Sequence, residues 1–109
     1  MKSVEATYGV KLGDLEEARM LIEKKLNADA EARESTNLGG DYYKFEGPSG
    51  ETLLLVSNED LYDGETLADG TDGWKLILLL AGAPEASPFI VALEAMPDVI
   101  ENLATQIFE

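Results

Sequence analysis

Six carboxylates crowd one short stretch of this chain. Glu59, Asp60, Asp63, Glu65, Asp69 and Asp72 follow one another with no Lys or Arg between them. Side chains of this type and density can ligate a hard cation, act as general acids and bases, or present a negative surface to a basic partner. The spacing argues against the first use. An EF-hand loop sets acidic or amide ligands at alternating positions before its glycine and a bidentate Glu well after it. Before Gly64, Asp63 fits and Leu61 does not, and Glu65 follows the glycine at once. We expect no metal site, with an irregular calcium site as a minor alternative. The second use lacks its usual partners. The chain has no His and no Cys, so the commonest general base, the commonest transition-metal ligand and the thiolate nucleophile are all missing. Asp41 beside Tyr42 and Tyr43 is the one remaining acid–base grouping, and nothing in the sequence sets it in an apolar pocket. We therefore expect no catalytic residues and no cofactor. The third use is left: a surface that steers a basic partner into contact, the alternative being a merely solvated loop.

The overall charge supports that use. The chain holds 22 acidic and 8 basic residues in 109, a net charge of −14. Nearly all of it falls after residue 33. Up to that point Lys2, Lys11, Arg19, Lys24, Lys25 and Arg33 almost balance the acids, whereas beyond it only Lys44 and Lys75 oppose them. Such a chain repels phosphate, so direct binding of nucleic acid or of an anionic membrane is disfavoured. Its apolar content of 45% is enough for a folded core, and its length fits a single domain over residues 1–109. The longest apolar runs, Leu76–Ala81 and Phe89–Leu93, fall far short of the ~20 residues that span a bilayer. No secretory pattern opens the chain, and a cytoplasmic location is the simplest expectation.

Charge alone gives fast encounter, and slow release needs buried anchors. Tyrosine serves well, because it covers a large area at low entropic cost. Tyr42 and Tyr43 adjoin on a predicted strand and so point to opposite faces. Tyr62 stands among the loop acids. The candidate partner-binding set is therefore Glu59, Asp60, Asp63, Glu65, Asp69 and Asp72 with Tyr42, Tyr43 and Tyr62.

The elements that must position this set can be read from periodicity. Val4, Ala6, Tyr8 and Val10 alternate with Glu5, Thr7 and Gly9, which predicts an edge or half-buried strand. Asp14 and Glu17 have the form of a capping box, and Leu15, Ala18, Ile22 and Leu26 give a helical stripe over about residues 15–27. Ala28–Leu38 reads as a connection entering a strand near Arg33–Thr36. Asp41–Glu46 and Thr52–Ser57 flank Gly47-Pro48-Ser49-Gly50, which predicts a hairpin. Asn58–Gly73 is then a long acidic loop, pinned to the body by Leu61, Tyr62 and Leu67. Trp74–Ala81 predicts a central strand covered on both faces. Ser87-Pro88 has the form of a helix start, but Phe89-Ile90-Val91 favours a strand equally, so residues 88–96 stay open between the two. Pro97 predicts the start of a last helix with Val99, Ile100, Leu103, Ile107 and Phe108 as its stripe. The expected fold is α+β, a mainly antiparallel sheet of about four strands with helices packed on one face.

The stretch from Leu15–Leu26, through Glu34-Ser35-Thr36-Asn37-Leu38-Gly39-Gly40-Asp41-Tyr42-Tyr43, to Leu53–Asn58 resembles immunity proteins of bacterial polymorphic toxin systems, including contact-dependent growth inhibition. The resemblance implies a small cytoplasmic α+β protein that binds a cognate toxin domain, often a nuclease with a basic groove, and does no chemistry itself. It carries over no contact residue. The rival expectation is an acidic nucleic-acid mimic that blocks a DNA-binding protein. A small acidic enzyme or calcium-binding module is the third class.

Overall fold

The computed structural model describes residues 2–109. The chain runs β1 (Ser3–Val10), α1 (Leu15–Leu26), β2 (Glu31–Ser35), a single 3-10 turn (Thr36–Leu38), β3 (Gly40–Glu46), β4 (Thr52–Ser57), β5 (Leu76–Ala83), α2 (Pro88–Glu94) and β6 (Ile100–Phe108). The strands form one sheet in the order β2-β3-β4-β5-β1-β6, and every neighbouring pair is antiparallel. The α+β class is as expected. The strand number is not: the sheet has six strands rather than about four.

The register explains the core. Tyr43, Leu55, Leu78 and Tyr8 lie side by side across four strands, and Phe45, Leu53, Leu80 and Ala6 form the next row. These residues share one face of the pleat. Ala18 and Ile22 of α1 and Phe89 and Leu93 of α2 close over that face, and all four are buried. The α1 start is fixed by Asp14, whose carboxylate accepts from Glu17 N at 3.1 Å, and its end by Asn27 in the left-handed region at φ 51°. Residues 88–94 are helix. Ser87 Oγ accepts from Phe89 N at 3.1 Å, and Pro88 occupies the first helical position, where a missing N–H costs nothing.

Four expectations need correction. The predicted last helix is the strand β6, hydrogen-bonded along β1. Leu103 is an extra residue between Asn102, opposite Tyr8, and Ala104, opposite Thr7. That bulge shifts the alternation by one, so Ile100, Leu103 and Ile107 fall at helix-like intervals although the backbone is extended. As a consequence β1 lies inside the sheet, between β5 and β6, and is not an edge. The segment read mostly as a connection contains β2, a strand whose side chains are almost all exposed, so no apolar alternation marks it. β5 is not covered on both faces along its length: Ile77 is fully buried, while Leu79 is half-buried and Ala81 exposed.

The tip of the β3–β4 hairpin is tied to α2 by a buried carboxylate. Glu51 Oε2 accepts from Ser87 Oγ at 2.6 Å and Oε1 accepts from Ser49 N at 2.7 Å. Ser87 thereby passes a hydrogen bond from the α2 N-terminus to a negative charge, which that helix end favours. Gly47 is required beside this group, because a Cβ there would collide with the Glu51 side chain. Burial alone would push the Glu51 carboxyl up. The Ser87 hydroxyl and the backbone N–H groups of Ser49 and Glu51 outweigh it and hold the group below its ordinary value of 4.5. A depressed native value means that the stabilisation is present at neutral pH and is lost as pH falls from about 4.5 through the native value. Ser87→Ala should cost about 1.5–3 kcal/mol, the range for a hydrogen bond to a charged group. Glu51→Gln should flatten the acid limb of the stability curve, measured by urea unfolding from pH 7 to pH 3; an unchanged slope would exclude Glu51 as its source.

Candidate functional site

The sheet has two faces and the helices cover one. Val56 and Ile77 pair on the other face and are nonetheless fully buried. The cover there is the segment between β4 and β5, the acidic loop. Asn58, at the first position after β4, organises it. Its Nδ2 donates to Thr71 O and Trp74 O, both at 2.9 Å, and lies 3.1 Å from Thr71 Oγ1. Its Oδ1 accepts from Leu67 N at 3.0 Å, and its backbone N donates to Lys75 O at 2.8 Å. Thr71, also buried, donates from Oγ1 to Ala68 O at 2.6 Å. One amide thus takes up the backbone groups that a loop without a strand partner would leave unsatisfied. Trp74 completes the cover by lying flat on Gly9 of β1. A Cβ at Gly9 would stand 2.5 Å from ring atoms, so only glycine admits this contact.

The acids sit on the outer surface of this folded loop. Asp60 Oδ1 accepts from Tyr62 N at 2.8 Å, Asp63 Oδ1 accepts from Glu65 N at 2.9 Å, and Gly64 N donates to Asp60 O at 2.7 Å, which closes residues 60–65 into a tight turn. The turn is joined to the 3-10 segment by Leu61 N donating to Thr36 O at 3.0 Å, and the Leu61 side chain lies against Gly40. Glu59, Asp63, Glu65, Asp69 and Asp72 are exposed and Asp60 is half-exposed. None of the six is ion-paired among the described residues; the basic partners go to Glu16, Glu23, Glu31, Glu46, Glu85 and Glu109. Among the described residues, no three Asp or Glu side chains converge as a metal ion would require.

The three tyrosines are placed differently. Tyr62 stands out of the turn, 86% exposed, and so does not pin the loop to the body. Tyr43 faces α1, where its hydroxyl donates to Glu16 Oε1 and the Arg19 guanidinium lies 5.5 Å from its ring centre. Arg19 also donates to Glu16 at 3.0 Å and to Glu23 at 2.5 Å. The bond to Tyr43, then that to Arg19, holds the Glu16 carboxyl low, and the same bond raises the Tyr43 hydroxyl. Tyr42, one position earlier, projects to the face that carries the loop, and it is half-exposed. The structure therefore brings the six acids, Tyr62 and Tyr42 to one side and places Tyr43 on the other. Asp41 is exposed and lies in no apolar pocket.

Asn58, Thr71 and the Trp74–Gly9 contact are the positioning residues that sequence reasoning did not assign to the loop. A usable signal was present: a long loop must satisfy its own backbone, and an Asn at its entrance with a Thr near its exit is a pair able to do so.

No family model, curated protein or solved structure matches this chain. No helix among the described residues is long and apolar enough to cross a membrane.

Asn58→Asp removes both side-chain donors while keeping shape, and it adds a charge beside two carbonyls. It should cost about 2–4 kcal/mol, from lost hydrogen bonds and a buried unpaired charge. Amide exchange should rise across residues 58–75 and leave β4 protected. Fluorescence of Trp74, the one tryptophan of the chain, should shift to the red. Unchanged exchange in the loop would show that Asn58 does not hold it.

Proposed function

We propose that the protein is a binding inhibitor of one basic protein partner, in the manner of an immunity protein that neutralises a cognate toxin domain. The observation that carries this reading is the acidic loop. Six carboxylates without an ion-pair partner among the described residues stand on a loop fixed in place by a buried amide, with an exposed tyrosine at its turn. Unpaired carboxylates steer a basic surface into contact, and holding them on a folded loop reduces the entropy that binding would otherwise cost. Tyr62 is the anchor, with Tyr42 on the same side of the sheet. Tyr43, engaged by Glu16 on the opposite side, supports α1 instead. The partner is a toxin domain whose substrate groove is basic, a nuclease in the simplest case, since such grooves are built to hold phosphate. The inhibitor does no chemistry and acts in the cytoplasm, where the toxin arrives.

The reading is tested by co-expression with the protein encoded immediately upstream in the native locus. Growth rescue together with a one-to-one complex is the expected result, and the absence of both toxicity and a complex would sink it. Within such a complex, Asp60→Asn, Asp63→Asn and Glu65→Gln together should slow association by roughly tenfold at low salt and flatten its salt dependence. Tyr62→Ala should act on dissociation instead, speeding it by roughly thirtyfold, as loss of an anchor does. An unchanged salt slope would remove the loop from the interface. Displacement of the inhibitor from a DNA-binding partner by duplex DNA of unrelated sequence, where that partner is not a nuclease toxin, would favour the nucleic-acid mimic.

A further inference from the structure

The two edges of the sheet are built differently. β2 carries Glu31, Arg33 and Glu34 in five residues, and Arg33 pairs with Glu31 at 2.8 Å. Charges on an edge strand keep other strands away. β6 has no such charge along most of its nine residues, and past its bulge at Leu103 the strand runs in unbroken register with β1 from Ala104 to Phe108. From Asn102 to Phe108 there is no charged side chain, in a chain of net charge −14. All of these residues except the half-buried Leu103 are exposed. Large apolar side chains are exposed on this strand and on its neighbouring helix. Ile107 is 52% and Phe108 43% exposed, on opposite faces of the strand, and Val91 of α2, the helix packed beside β6, is 63% exposed. On the face turned from the helices, Ala104 and Gln106 line a groove of about 520 Å³ that runs past Thr7 to Leu79 and Leu54.

We infer that β6 is an interface for a second copy of this chain, the two β6 strands pairing antiparallel about a two-fold axis within Ala104–Phe108, past the bulge. The outer N–H and C=O groups of β6 supply the hydrogen bonds, as in any strand added to a sheet edge. Charge selects the occupant. Two copies at −14 repel one another unless they meet where neither is charged, and a two-fold axis sets this uncharged stretch against itself. A basic partner would find no carboxylate between Asn102 and Phe108 to meet. At the strand end, Glu109 lies 3.9 Å from Lys2, which offsets part of its charge. The acidic turn of residues 60–65 sits by β3, separated from β6 by β4, β5 and β1, so the dimer leaves that turn free. The repulsion that remains has a consequence: salt strengthens this self-association, whereas it weakens docking of a basic partner.

The test needs no partner protein. Sedimentation equilibrium of the full chain should give twice the 11.8 kDa of one copy at micromolar concentration, with a dissociation constant roughly tenfold lower at high salt than at low salt. Thr105→Glu with Ile107→Glu sets like charges against each other and should weaken self-association by at least roughly tenfold. Its circular-dichroism melt reports whether the fold is kept. The chain has no cysteine, so a conservative probe is also available. Thr105→Cys should form a disulfide between copies under mild oxidation, and Thr66→Cys in the acidic loop should not. A chain monomeric at every concentration in high salt would overturn the inference. So would a dimer indifferent to the two glutamates, or one that cross-links equally well through Thr66→Cys.

Discussion

The amide of Asn58 is the contact on which the second side of this protein rests. A six-stranded sheet offers two faces, and two short helices can cover only one. Burying Val56 and Ile77 on the other face falls to a segment with no regular structure, whose backbone donors and acceptors would be costly to bury unpaired. One side chain with two donors and an acceptor solves this by bonding to Leu67, Thr71 and Trp74 together. Trp74 can then lie on the bare backbone of Gly9. The charge on the loop surface is tolerable because the polar work is done beneath it, away from the carboxylates.

The chain separates its polar groups by purpose. Glu51 is fully buried and serves the fold, clipping the hairpin tip to α2 through Ser87. Glu16 and Glu23 hold Arg19 over Tyr43 and serve the α1–β3 contact. The six loop acids bond only within their own turns or not at all, and face outward. Residues that stabilise the fold and residues that it leaves exposed are thus distinguishable by what they touch. The same distinction separates Tyr43 from Tyr42 and Tyr62.

The two proposed interfaces use opposite physics on opposite parts of the sheet. One depends on charge and is weakened by salt. The other depends on the absence of charge at an unprotected edge, and salt relieves the repulsion that opposes it. The turn of residues 60–65 that carries Tyr62 and the β6 edge lie on different sides of β4, β5 and β1.

Much of the fold was legible in the sequence. The α1 cap and stripe, the β3–β4 hairpin, β5 and the α+β class follow from local signals: Asp14 before Glu17, a Gly-Pro-Ser-Gly turn, an apolar run. The acid cluster and its outward character were legible too, since six charges without counter-charges have no place in a core. β2 was scarcely legible, because a polar edge strand carries no alternation. β6 was misread, because a bulge at Leu103 gave an extended strand the apolar spacing of a helix. Residues 88–96 were undecidable from propensity; packing of Phe89 and Leu93 against the sheet made the segment a helix. Composition and local spacing thus determined that the chain has no His or Cys side chain, the charge it presents and the elements with strong caps or turns. Only the tertiary structure decided which tyrosine shares a side with the acids, what holds the loop, and which sheet edge is left bare. Each of these depends on pairing and packing between residues far apart in the chain, and no local pattern records them.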